Sequence, residues 1–190
     1  MTNSKKKQFD DPRQKTTFTE KDLEMITKEW KLQIDIAYDL LHGMPTHLDS
    51  HHGVHSIREI FPIYKQLASE YGLPMRGTNE GEIKEQIVMN NLPATVVIVQ
   101  NWTGRCLGPD KLIECLIEVE NDNTGDNIIE ITSHPGYSDT YLESISSLSK
   151  ARENDHETLL YLSTTKSWDT LGFSLGSYKD FFNARTFKNS

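Results

Sequence analysis

Alternating helical and extended patterns place this chain in the α/β class, on a mostly parallel sheet. Two stretches show it most directly. Leu23, Ile26, Trp30, Ile34, Ala37 and Leu41 recur at spacings of three and four, which is one face of an amphipathic helix. "ATVVIVQNW" (94–102) is instead a short apolar run rich in β-branched residues, the pattern of a buried strand. The connections between such segments are short and marked by Gly or Pro, which favours parallel strands joined by helices.

Taken in order, residues 1–17 are polar and aperiodic and read as a loop, so the flexible segment is set at 1–18 and one α/β domain at 19–190. Thr19 is placed to cap a helix, with Asp22 in the reciprocal position, and Gly43 marks its end. "PTHLDS" (45–50) follows as a short strand, and a second helix is expected from about Ile57 to Tyr71, closed by Gly72. "LPMRG" (73–77) and the run at 94–102 are the next strands. Pro109 opens a helix through "DKLIECLIEVE", "NDNTGDN" (121–127) is a turn-rich loop, and "IIEITSHPG" (128–136) is another strand. A helix around 153–163 and "FSLGSYKDF" (173–181) complete the ordered chain. Folds of this kind usually open on a strand, whereas this chain opens on a loop and a helix. Either that helix is peripheral or a strand ahead of it is missing.

Composition narrows the function. Of 190 residues, 36% are hydrophobic and 25% charged, enough for one ordinary core. No apolar run nears the roughly 18–20 residues of a membrane span, and the basic start "MTNSKKKQ" has no apolar segment behind it to make a secretory signal. Lys5, Lys6 and Lys7 read as a solvated tail. Two cysteines, Cys106 and Cys115, form no disulfide framework, so a reducing cytoplasm is the default compartment, and "NWT" at Asn101 is a chance sequon. The net charge of -8 argues against a nucleic-acid backbone as partner.

Three constellations carry chemistry. "THLDSHHGVH" (46–55) holds four of the seven histidines. On an extended strand His47, Asp49 and His51 would share one face, a donor set suited to Zn²⁺, Mn²⁺ or Co²⁺, with His52 and His55 where the strand meets its loop. A histidine-rich surface loop is the plain alternative. In "ITSHPGYSD" (131–139), His134 sits at a strand's C-terminal end before a Pro-Gly turn, where α/β folds place reactive groups; a histidine that merely ends the strand is the other reading. Arg76 could hold a carboxylate or stabilise developing negative charge, although a surface arginine explains it as well. Their common position at strand ends suits metal-assisted hydrolysis.

With these motifs quoted, the sequence resembles the YdjC-like carbohydrate deacetylases, which act on N-acetylated sugars such as chitooligosaccharides. The resemblance rests on "PTHLDSHHGVH", "LPMRG" and "EITSHPGYSD". It is supported by "RENDHETLL" from Arg152 and by "LGSYKDF", and it spans about residues 20 to 182. It implies a partial, deformed (β/α) barrel and one divalent metal, Mg²⁺ before Zn²⁺ or Mn²⁺. It also implies that His51 is a metal ligand, that His134 is the acid for the leaving amine, and that Arg76 is a catalytic arginine. His47, Asp49, His52 and His55 would support the metal or bind substrate. The implied reaction is attack of metal-activated water on the acetamide.

The chain departs from the family in having no "ADDFG"-type opening motif and no "GLHL"-type histidine, which would supply a carboxylate, a base and a further ligand. Gly53 and Ser133 also replace a histidine and a cysteine of the family's pattern. Asp10-Asp11 is followed by Pro12 and is not preceded by an apolar strand, so it is no substitute. A start lying upstream of Met1, a complementing N-terminal fragment, or a homodimer formed through an open sheet edge is therefore expected. The competing readings are a non-catalytic remnant or interaction protein and, less well supported, a phosphoesterase, for which no glycine-rich phosphate cradle is visible. Neither a nucleic acid nor a membrane is an expected partner.

Overall fold

The structure is a computed structural model and describes residues 17–79, 81–122 and 128–180. Its contacts divide the chain into two compact units, Met1–Arg76 with Glu80–Ala94, and Gly77–Asn79 with Thr95–Ser190. The expected segment 1–18 lies almost wholly outside the described residues, as does most of the 121–127 loop.

In the first unit, α1 (Glu20–Leu41) starts on the expected capping box. The Thr19 hydroxyl accepts the Asp22 N–H at 3.2 Å, and the Asp22 carboxylate accepts the Thr19 N–H at 2.8 Å. Such a cap contributes about 1 kcal/mol. The helix ends with His42 in the left-handed region (φ 52) and the Gly43 N–H on Tyr38 O. Of the predicted apolar stripe Ile34 is buried, but Leu41 is 64% exposed.

Helix α2 (Phe61–Tyr71) carries Pro62 in its first turn, where a missing N–H costs nothing, and Gly72 closes it at φ 64. It begins after the expected Ile57, because residues 57–60 form a turn. Helix α3 (Gly81–Met89), which the sequence did not suggest, buries Ile83 and Ile87 one turn apart.

The expected strands at 45–50 and 73–77 shrink to single parallel bridges, Leu48 with Met75 and Met75 with Ala94. Prolines explain the shortness. Pro74 and Pro93 sit beside the paired residues and can only accept: the Leu48 N–H goes to Pro74 O and the Met75 N–H to Pro93 O.

In the second unit β1 (Val97–Val99) and β2 (Ile129–Ile131) pair in parallel, Val97 opposite Ile129. Their crossover is α4 (Gly108–Asp122). On the other edge of β1 the Asn79 side chain stands in for a strand, donating to Ile98 O at 2.8 Å and accepting the Ile98 N–H at 3.2 Å. Beyond β2 come α5 (Thr140–Ile145), α6 (Lys150–Thr164) and the short α7 (Ser167–Thr170). Val99, Trp102, Leu112, Cys115, Leu116, Leu162 and Trp168 form the core here.

The α/β class and the parallel pairing therefore hold. Among the described residues the sheet does not close into a barrel. No described helix is long and apolar enough to cross a membrane.

Candidate active site

The histidine-rich segment keeps only a short stretch of the expected strand. Only Leu48 is bridged, with its N–H on Pro74 O and its carbonyl receiving the Arg76 N–H at 2.8 Å. From His51 to Ser56 the chain turns as a 3-10 helix, interrupted by left-handed His52 (φ 58) and Gly53 (φ 66). Ser50 is still extended (φ -119, ψ 136), so the two-residue alternation ends only beyond His51, and His52 and His55 lie in the turn. Among the described residues no group of three His, Cys, Asp or Glu side chains gathers in a way that could hold a metal.

Each residue of the segment has its own environment. His51 and His52 are exposed, their rings 4.0 Å apart. His47 lies with Nδ1 2.9 Å from Thr46 Oγ1. His55 is a core residue, 2% exposed, stacked on Tyr64 at 4.8 Å with Nδ1 2.6 Å from Ser50 Oγ. Asp49 pairs with Arg76, Nη1 to Oδ2 at 3.2 Å, joining two motifs 27 residues apart. A guanidinium already neutralising Asp49 opposes a second cation on the same carboxylate.

Part of this segment lines a cavity of about 540 Å³. Ile26, Trp30, Ile34 and Ala37 of α1 make its apolar wall, and His47, Asp49, His51 and His52 face it. A concave apolar surface with a few convergent polar groups is the general form of a small-molecule site.

In the second unit His134 follows β2 and is exposed, as the sequence suggested. The loop that carries it is tied to α6 at three points. The His134 N–H donates to Asp155 Oδ2 at 3.0 Å, the Gly136 N–H to Arg152 O at 3.2 Å, and the Ser138 N–H to Glu153 Oε1 at 2.8 Å. "SHPGYS" and "RENDHE" are thus two halves of one construction.

Asp155 itself is fully buried and also receives the Gly104 N–H at 3.2 Å and the Thr103 hydroxyl. Thr103 Oγ1 in turn lies 3.1 Å from His134 Nδ1. Sequence reasoning passed over Asp155 and Thr103. The signal was a carboxylate on the stripe Asp155, Thr158, Leu159, Leu162, a helical spacing that otherwise carries core residues. A buried carboxylate on such a stripe has to be satisfied by donors from elsewhere.

A second carboxylate, Glu130 on β2, accepts from Thr95 Oγ1 at 2.8 Å and from the Tyr178 hydroxyl. Thr95 Oγ1 also receives the Gly77 N–H at 2.9 Å. This network ties the C-terminal "LGSYKD" to the sheet.

Comparison with known proteins follows the same motifs. The YdjC-like protein family model matches residues 4–168. A chitooligosaccharide deacetylase of Yersinia enterocolitica is 30% identical over 161 residues, 85% of this chain and 62% of the relative. A carbohydrate deacetylase of Clostridium beijerinckii is 32% identical over 137 residues, 72% of this chain and 54% of the relative. This chain therefore spans little more than half the length of these relatives. A crystal structure from Enterococcus faecalis, described as a "putative cellobiose-phosphate cleavage protein", superposes with a TM-score of 0.72 at 24% identity. That match covers 83% of this chain and 60% of the other, and it shows the fold. By the motifs that shape both units and by the family match across most of its length, the chain belongs to the YdjC-like protein family.

Proposed function

We propose that this chain carries part of the active site of a carbohydrate deacetylase, which hydrolyses N-acetyl groups on sugars or oligosaccharides. The names of the two deacetylase relatives support the substrate class. The observation that carries the reading within this chain is His134: its ring is exposed while its backbone is pinned to the buried Asp155.

Hydrolysis of an acetamide forms a carbon–oxygen bond to water, breaks the carbon–nitrogen bond and needs a proton delivered to the departing amine. An exposed imidazole on a rigid support can deliver that proton. Arg76, paired with Asp49, is the candidate for fixing charge beside the cavity that Asp49 lines.

The described residues do not by themselves fit a bound divalent cation. Mg²⁺, or Zn²⁺ or Mn²⁺ in its place, belongs to the proposal only with His51 as one donor and further donors beyond the described residues.

The test is release of acetate from N,N'-diacetylchitobiose by the full chain, with and without added Mg²⁺. His134→Ala is expected to lower kcat by about 100-fold or more with sugar binding retained. Undiminished acetate release from His134→Ala would remove His134 from the reaction. A folded chain that releases no acetate at all would favour a non-catalytic interaction protein.

A further inference from the structure

We infer that Asp155 and Thr103 together fix the tautomer of His134, holding the proton on Nδ1 and presenting Nε2 outward. The inference deepens the role proposed for His134, but its physical content does not depend on turnover.

The available hydrogens decide the tautomer. A carboxylate only accepts, and Asp155 receives three donors: the Gly104 N–H on Oδ1, and the His134 N–H and the Thr103 O–H on Oδ2. A threonine hydroxyl has one hydrogen. With that hydrogen committed to Asp155, the remaining capacity of Thr103 Oγ1 is to accept, and the group beside it is His134 Nδ1 at 3.1 Å. The imidazole must then supply the hydrogen, so Nδ1 carries it. Asp155 is fully buried and Thr103 half-buried, so water competes weakly for the Thr103–Asp155 bond, while the bond from Thr103 to His134 lies at the exposed end of the relay.

One carboxylate thus holds His134 twice, directly at its backbone N–H and through Thr103 at its ring. Which ring nitrogen carries the proton is set by the hydrogen bond the other nitrogen makes. A neutral histidine side chain in water favours the opposite tautomer, with hydrogen on Nε2. In the inferred state Nε2 has a lone pair when the ring is neutral. On protonation it becomes the donor to an amine, while Nδ1–H stays on Thr103. Asp155 and Thr103 are positioning residues in this arrangement and touch no substrate.

The experiment is long-range ¹H–¹⁵N correlation on the ¹⁵N-labelled full chain, at a pH well above the ordinary histidine range. The His134 ring signals are assigned by their loss in His134→Gln. Wild type is expected to show the Nδ1–H form, Thr103→Val to move toward Nε2–H, and Thr103→Ser to restore the wild-type pattern.

An Nε2–H ring in wild type, or the same tautomer in wild type and Thr103→Val, would overturn the inference. Because Asp155→Asn can fail to fold, the Thr103 pair decides the question. If acetate release is found, Thr103→Val is further expected to lower kcat roughly tenfold with KM unchanged, and Thr103→Ser to recover it. If none is found, the tautomer result still stands or falls alone, so failure of the deacetylase reading is separable from failure of this one.

Discussion

Gly77→Ala should unfold this protein far more readily than its chemical modesty suggests. A Cβ built on Gly77 would lie 1.5 Å from the Thr95 carbonyl oxygen and 2.7 Å from its carbon. The first distance is less than half an ordinary contact, and the obstacle is backbone, which cannot rotate aside. Accommodation means separating the segments that carry Gly77 and Thr95. That breaks the Gly77 N–H bond to Thr95 Oγ1 and disturbs the Thr95 bond to Glu130. A neutral bond is worth about 1 kcal/mol and one to a charged group about 1.5–3. Overpacking strain adds about 1–3 kcal/mol. The expected loss is therefore roughly 3.5–7 kcal/mol, a large share of the about 5–15 kcal/mol that typically stabilises a domain. Urea unfolding followed by tryptophan fluorescence measures it. Gly176→Ala is the control, because a Cβ there meets nothing within 4 Å and the backbone is not left-handed. A Gly77→Ala loss below about 1 kcal/mol would refute the steric argument.

Two further outcomes follow from single groups. Thr158→Val on α6 should raise the urea midpoint by the equivalent of roughly 0.5–2 kcal/mol, because the Thr158 hydroxyl is buried without a hydrogen-bond partner among the described residues and valine keeps the shape; a lower midpoint would show that the hydroxyl has a partner after all. The Tyr71 phenol donates to Asp35 at 2.6 Å, and this hydrogen bond, with lesser help from burial and charge, pushes its pKa up to about 12. Since the folded value lies above the ordinary value of about 10, the bond's small, solvent-screened contribution is complete below about pH 10 and is lost as pH rises through about 12. An ultraviolet titration should show one tyrosine ionising late, moved down toward 10 by Asp35→Asn; an unmoved midpoint would assign the shift to another cause.

Local pattern by itself determined the helices that announce themselves, the apolar runs that contain the strands 97–99 and 129–131, and the family motifs. Thr19 and Asp22 satisfy each other within three residues, so their cap was legible before any tertiary contact. The brevity of the 48–75–94 pairing was only half legible: Pro74 and Pro93 are plain in the sequence, but hydrophobic runs around them still read as strands.

What only the tertiary structure decided concerns partners far apart along the chain. The expected strand gives way to a 3-10 turn after Ser50, where His52 and Gly53 turn left-handed, and a non-glycine residue in that region is held there by its surroundings. Asp49 meets Arg76 from 27 residues away, and the His134 backbone meets Asp155 from 21 residues away. Periodicity records which face of an element is apolar. It carries no record of which buried carboxylate will satisfy which distant N–H, because that match is made only when the elements pack and water is removed from both groups.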